Sequence, residues 1–274
     1  MSAAIPVDAV TRLSRYRLLE RIGGGATSIV YAAHDEAMDR RVAVKMIVAD
    51  LQDEPETRAR FYREARVTAQ LLHRNIVTVL DVGEDRERPY LAMELLEGKS
   101  LGAYLRGGGA ESVAAKLNLI DQLYSGLERA HADGIVHRDI KPNNLFVERD
   151  GCLKILDFGL ARLQTSTLTA SGQIVGTPDF MSPEQASGAK VDHRSDVFSA
   201  AAVGYFILTG RPPFTRPDLR QTLLALLHED PPPVPEAQAP AALVRVITKG
   251  LAKSPADRPQ SCAEMLAALR GVSL

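Results

Sequence analysis

Residues Ile135 to Gly159 read Ile-Val-His137-Arg138-Asp139-Ile-Lys141-Pro-Asn143-Asn144-Leu145-Phe-Val147, then, past Glu148 and Arg149, Asp150-Gly151, and finally Leu153-Lys-Ile155-Leu156-Asp157-Phe158-Gly159. Two short apolar runs, Leu145 to Val147 and Leu153 to Leu156, flank a polar turn, which is the pattern of a β-hairpin. A hairpin brings its two ends together, so the Asn144 carboxamide and the Asp157 carboxylate should arrive at one place, with Asp139 just upstream. Three oxygen-bearing side chains gathered in this way suit a hard cation such as Mg²⁺ carried by phosphates.

The pattern His137-Arg138-Asp139, Lys141 and Asn144, followed by Asp157-Phe158-Gly159, resembles the catalytic loop and metal-binding motif of the eukaryotic-like (Hanks-type) Ser/Thr protein kinases. At residue frequencies of about one in twenty per fixed position, the five letters of the first motif would occur by chance in on the order of one such chain in ten thousand. The resemblance implies an α+β, bilobal protein kinase fold. A small five-stranded β lobe with one major helix would be followed by a larger, mainly helical lobe, with Mg-ATP in the cleft.

Composition is that of an ordinary soluble protein. The chain has 274 residues, 45% hydrophobic and 24% charged, with a net charge of -1, enough for one large domain or two lobes. Nothing is basic enough for a nucleic-acid footprint, and no Lys/Arg block points to an anionic membrane. Cys152 and Cys262 lack metal-ligand spacing and read as reduced thiols, which fits a cytoplasmic setting. Residues from Met1 lack the basic start and continuous apolar core of a signal peptide. The apolar run Val197 to Leu208 is too short for a membrane span and reads as a buried helix.

In chain order, residues 1–14 read as a flexible leader, 15–95 as the small lobe and 96–274 as the large lobe, one kinase domain overall. Leu18 to Ile22, then Gly23-Gly24-Gly25-Ala26-Thr27-Ser28, then Ile29-Val30-Tyr31 give strand, glycines, strand. Taken alone, this is a tight hairpin. A dinucleotide fingerprint would need a helix after the glycines. The resemblance implies a phosphate-covering loop in which Ile22, Gly23, Gly24, Gly25, Ala26, Thr27, Ser28, Ile29 and Val30 line the nucleotide, with Ser28 where the family has its third glycine.

Val42 to Val48 is a strand pattern with Lys45 at its centre. A lysine there is ordinarily solvent-facing, whereas by resemblance it grips the α- and β-phosphates beside Ala43. Asp53 to Leu72 opens with helix-start residues and carries Phe61, Ala65, Thr68, Ala69 and Leu72 at helical spacing. Glu64 on that helix reads as a solvated glutamate by itself and, by resemblance, as the partner of Lys45. Asn75 to Val82 and Arg88 to Leu95 read as two further strands, ending in a hinge at Gly98. There Met93 would back the adenine pocket while backbone groups of Glu94 and Leu96 bond the adenine edge.

Val113 to Asp133 is an amphipathic helix, with Leu117, Ile120, Leu123, Leu127 and Ala130 on one face and a C-cap at Asp133-Gly134. It leads into the catalytic loop. By resemblance, Asp139 orients the substrate hydroxyl, Lys141 offsets charge on the transferred group in the Ser/Thr-kinase manner, and Asn144 and Asp157 hold Mg²⁺, or Mn²⁺ in its place. His137 and Phe158 read as packing residues.

Leu160 to Glu184 resembles an activation segment, with Thr165, Thr167, Thr169 and Ser171 as phosphosite candidates. A phosphate there would face Arg138, although any one of these hydroxyls taken alone reads as a solubilising loop residue. Thr177, in Gly176-Thr177-Pro178, would position substrate. Glu184 of Ser182-Pro183-Glu184 would pair with Arg258, and Asp196 would brace the catalytic loop.

The function implied is γ-phosphoryl transfer from ATP to Ser/Thr hydroxyls of protein substrates, with autophosphorylation of the activation loop. The resemblance to bacterial members also raises a homodimer through the small lobe. Two rival readings stand beside it. A small-molecule phosphotransferase of related fold would lack the Gly176 to Glu184 segment. A pseudokinase scaffold would usually have lost one of Lys45, Asp139 or Asp157.

Overall fold

In a computed structural model, the described residues are 11–24, 28–47, 62, 65, 68–86, 88–158 and 178–273. The chain divides into two compact units, Met1–Leu72 with Val77–Glu97, and His73–Ile76 with Gly98–Leu274.

The first unit is an antiparallel sheet in the order β1-β2-β3-β4-β6-β5. Its strands are β1 (Arg12–Leu13), β2 (Tyr16–Gly24), β3 (Ser28–Asp35), β4 (Arg40–Ile47), β5 (Val79–Asp85) and β6 (Arg88–Glu94). The start of β2 alternates, with Tyr16 and Leu18 inward and Arg17 outward, as a half-buried strand requires. β3 and β4 lie in mid-sheet and are buried over most of their length. Asp35 closes the turn that joins them by accepting the amides of Ala37 and Met38. Tyr16 meets Tyr90 edge to face at 5.6 Å and donates its hydroxyl to Asp81 at 2.8 Å.

Three expectations change here. The sheet has a sixth strand, because Arg12 and Leu13 pair with Arg17 and Tyr16. Residues 11–13 are therefore not leader, and Leu13 is buried in the core. The strand expected from Asn75 starts instead at Val79, because Asn75 is tied into the second unit: its Nδ2 donates to Leu153 O at 2.8 Å and to Gln122 Oε1 at 2.9 Å. Leu72, expected on an apolar helix face, is 69% exposed while Leu71 is buried. Helical geometry ends just before them, where the bond from Leu71 N to Thr68 O tightens the last turn and rotates the face. The start of that helix, including Glu64, lies outside the described residues.

In the second unit β7 (Gly98–Ser100), β8 (Leu145–Glu148) and β9 (Leu153–Ile155) form a small antiparallel sheet. The β8–β9 hairpin is the one the sequence implies. Its turn takes three residues, with Gly151 at φ +83° and Glu148 N bonded to Cys152 O. The helices are α1 (Leu101–Arg106), α2 (Val113–Ala132), α3 (Pro183–Ala186), α4 (His193–Thr209), α5 (Leu219–His228), α6 (Ala241–Gly250) and α7 (Cys262–Arg270). Ser112 caps α2 through the Ala115 amide, and Gly134 follows it in the left-handed region. Helix α4 is buried on nearly every side and lies against α2 and α6, which explains its run of small and apolar residues from Val197 to Leu208. Among the described residues no helix is long and apolar enough to cross a membrane.

Candidate active site

In the first unit the expected nucleotide-side residues fall on neighbouring strands. The β3–β4 and β4–β6 registers set Val30 opposite Lys45, and Ala43 opposite Met93. Lys45 is 7% exposed, so the solvent-facing reading of this lysine does not hold; a buried ammonium requires an anionic or polar partner. Gly23 and Gly24 pair with Val30 and Ile29 at the tip of the β2–β3 hairpin. Gly24 has φ +148°, and a Cβ there would come within 2.8 Å of Ser28 O, so only glycine fits. Ser28 is buried, whereas Ile22 is 48% exposed. Glu94 gives its amide to Thr78 O at 3.0 Å and accepts the Thr78 amide on Oε1 at 2.7 Å. Leu96 is half-buried. Gly25, Ala26, Thr27 and Glu64 lie outside the described residues.

In the second unit the loop between α2 and β8 is held from several directions. Asp196, on the first turn of α4, accepts the His137 amide at 2.7 Å and the Arg138 amide at 2.8 Å. His131 adds a third bond at 2.8 Å. Burial pushes this carboxyl up, but the hydrogen bonds from His131 and from the Arg138 amide outweigh it and hold the group below the usual carboxylate range. His137 accepts the Asp139 amide on Nδ1 at 3.2 Å and donates from Nε2 to Leu156 O at 2.8 Å. Its ring packs against Phe158 at 4.7 Å.

Asp139 Oδ2 is the focus of the loop. It takes a hydrogen bond from Asn144 Nδ2 and an ion pair from Lys141 Nζ, each at 2.8 Å. Asn144 Nδ2 also donates to Asp139 O, and its backbone carbonyl accepts Leu156 N at 2.8 Å. That last bond closes the hairpin one residue short of Asp157, which sits in the left-handed region at φ +58°. The donor set fits a divalent cation. With Nδ2 committed to Asp139, Asn144 has its carboxamide oxygen to offer, and Asp157 adds a carboxylate. Two protein oxygens, completed by phosphates and water, are the usual provision for Mg²⁺.

Glu184 and Arg258 form a buried two-pronged pair, Oε1 to Nη1 at 2.7 Å and Oε2 to Nη2 at 2.8 Å. Ser195 donates its hydroxyl to the same carboxylate, and Arg258 also bonds three backbone carbonyls. Burial raises the Glu184 carboxyl, but the Arg258 and Ser195 hydrogen bonds bring it below its ordinary value. Thr165, Thr167, Thr169, Ser171 and Thr177 lie outside the described residues.

Two residues of this network were not anticipated. His131 leaves no signal beyond its place on the last turn of α2. Gln185, whose Nε2 donates to Arg138 O at 2.6 Å, was legible only as the fourth letter of a Ser-x-x-Gln capping box.

A family profile described as protein kinase domain matches residues 16–268. The serine/threonine-protein kinase Pkn1 of Myxococcus xanthus is 41% identical over 94% of this chain and 38% of its own length. PrkC of Bacillus subtilis is 35% identical over 93% and 40%, and PknA of Mycobacterium tuberculosis 37% over 97% and 63%. The chain thus spans between about two fifths and three fifths of these relatives. The crystal structure of the Mycobacterium tuberculosis PknI kinase domain is similar with a TM-score of 0.73 and 27% identity, covering 94% of this chain and 96% of that one. The fold is the α+β protein kinase fold, and the chain belongs to the protein kinase domain family.

Proposed function

We propose that this chain is a Ser/Thr protein kinase that transfers the γ-phosphoryl group of ATP to protein hydroxyls. The observation that carries this reading is the grip on Asp139: one carboxylate oxygen is held by both Lys141 and Asn144, on a loop whose amides are fixed by Asp196. Oδ2 is occupied in this way, so Oδ1 is the oxygen assigned to the substrate hydroxyl. Asp139 orients that hydroxyl for in-line attack and takes its proton late. Lys141, already beside Asp139, offsets charge on the group in transfer. Asn144 and Asp157 hold the divalent cation, Mg²⁺ or Mn²⁺, which when bound neutralises phosphate oxygens.

Lys45 orients the α- and β-phosphates, with Glu64 as its partner by motif. The glycine segment, Ala43, Met93 and the Leu96 amide receive the nucleotide. The choice of Ser/Thr over tyrosine rests on Lys141 and on the names of the relatives. Thr165, Thr167, Thr169 and Ser171 are the autophosphorylation candidates, and Thr177 the substrate-positioning residue.

The test is incubation of the purified protein with Mg-ATP, followed by intact-mass and phosphopeptide analysis, beside Asp139→Asn and Lys45→Met. Phosphate gained by the wild type on the Thr165 to Ser171 segment and by neither variant is the expected result. Nucleotide binding without phosphorylation of the protein or of generic acceptors would replace this reading with a scaffold.

A further inference from the structure

Arg138 has φ +68°, a conformation that residues with a Cβ hold only when their surroundings impose it. On its N-terminal side the imposing group is Asp196, which takes the amides of His137 and Arg138. On its C-terminal side the peptide joining Arg138 to Asp139 is held at both polar atoms. The Asp139 amide donates to His137 Nδ1 at 3.2 Å, and the Arg138 carbonyl accepts Gln185 Nε2 at 2.6 Å. A peptide plane fixed at its nitrogen and its oxygen cannot rotate, and Asp139 projects directly from it.

The carboxamide of Gln185 has one orientation available. Its Oε1 accepts both the amide and the hydroxyl of Ser182 at 3.0 Å, which leaves Nε2 facing the catalytic loop. Helix α3, on which it sits, is itself anchored through Glu184 to Arg258 and Ser195. The capping box by itself asks only for an acceptor at this position and is served by glutamate or glutamine alike. The bond to the Arg138 carbonyl asks for a donor, which only the amide supplies.

We infer that Gln185 is a positioning residue for phosphoryl transfer: it locks the peptide plane from which Asp139 projects and ties that plane to the anchored start of α3. This rests on the kinase reading above. Gln185→Glu keeps the capping box and sets an oxygen against the Arg138 carbonyl, whereas Gln185→Met removes the donor together with the side-chain half of the capping box and leaves the bond from the residue-185 amide to Ser182 Oγ.

The experiment compares wild type, Gln185→Glu and Gln185→Met for kcat and KM on a generic acceptor such as casein. It adds Mg-ATP affinity by calorimetry, thermal melting, and the ¹H–¹⁵N resonance of the Asp139 amide. A misplaced catalytic group costs on the order of a hundredfold in rate. The expected result for Gln185→Glu is therefore a 10- to 100-fold drop in kcat, with KM for ATP, nucleotide affinity and melting close to wild type and the Asp139 resonance displaced. Gln185→Met should lose kcat and also melt earlier. Wild-type kcat in Gln185→Glu, or a loss wholly accounted for by lower melting, would overturn the inference. Should the wild type bind Mg-ATP and phosphorylate nothing, the kinase reading fails separately. The Asp139 resonance then decides the inference alone: unmoved in Gln185→Glu it is wrong, displaced it stands as geometry.

Discussion

Asp196 and Arg138 are joined by a 2.8 Å hydrogen bond from the Arg138 amide to Oδ1, while Oδ2 takes the His137 amide and His131 Nε2. The carboxylate is fully buried, and every bond it makes is an acceptance. Asp196→Asn would turn an N–H₂ group toward donors it cannot serve. Disrupting a buried charged network costs about 3–5 kcal/mol, so urea unfolding should show a loss near the lower end of that range. Phosphoryl transfer should fall with it, since the left-handed Arg138 would relax. Wild-type stability in this variant would refute the role given to Asp196.

The pH dependence follows from the same group and from Glu184. Both carboxyls lie below their ordinary values in the folded chain. Their contribution is therefore fully present above the unfolded carboxylate range, about pH 4, and is lost as pH falls through the lowered folded values. Unfolding free energy measured from pH 6 to pH 3 should fall steeply in the wild type and less steeply in Asp196→Asn and Glu184→Gln. Superimposable slopes would show that neither group is linked to folding.

The Glu184–Arg258 pair should cost more to break than to remove. Arg258→Met leaves a buried carboxylate with Ser195 as its remaining side-chain partner, and Glu184→Gln leaves a guanidinium against an amide. Each single change should cost about 3–5 kcal/mol. The double variant Glu184→Gln/Arg258→Met should fall well short of their sum, by 0.5–3 kcal/mol of coupling. A double-mutant cycle by urea denaturation reads this directly, and strict additivity would contradict the pairing.

Lys253 lies 3.6 Å above the ring of Phe214 and donates to Ala225 O and Leu226 O at the end of α5. Burial pushes its ammonium down to about 8. The unfolded chain keeps the proton up to the ordinary lysine range near 10.4, so between those values the unfolded state binds more protons and stability rises with pH. A ¹³C titration of the Lys253 Cε should show a midpoint near 8. A midpoint at the ordinary lysine value would show that the side chain is solvated.

Gly98, read as the hinge between lobes, is the first residue of the second unit after Glu97 and lies opposite Glu148 in the β7–β8 ladder. A Cβ there would strike the Val147 carbonyl. Gly98→Ala should destabilise the second unit by about 1–3 kcal/mol through forced backbone displacement, measurable by urea unfolding. A neutral substitution would mean that β7 moves aside freely.

Much of the catalytic loop was legible because its chemistry is local. The hairpin that carries Asn144 to Asp157 needs only two apolar runs and a turn, and the bond from Leu156 N to Asn144 O realises it. The same holds for α2 and α4, whose spacing and apolar runs announce them. What could not be read was set by partners distant in sequence. Asn75 looks like the start of a strand until Leu153 and Gln122 are seen to claim its carboxamide. By its strand pattern alone, though not by the resemblance, Lys45 looks like a surface lysine until β3 and β6 are laid on either side of it. Gln185 looks like a cap until the Arg138 carbonyl, 47 residues away, is found against its amide.

The two residues of β1 carry a practical consequence for where the domain can be cut. Sequence similarity to the family begins at Tyr16 and ends at Ala268. Thr11 O and the short β1 strand cover the start of β2, however, by accepting Leu18 N and pairing Arg17 and Tyr16. At the far end, buried Leu269 and the Arg270–Asp121 ion pair lie beyond the match. A fragment trimmed to the limits of similarity would bare the first residues of an edge strand and open a seam beside α2, and exposed strand edges recruit other copies. Self-association of such a fragment would then be a product of the trimming, not a property of the kinase domain.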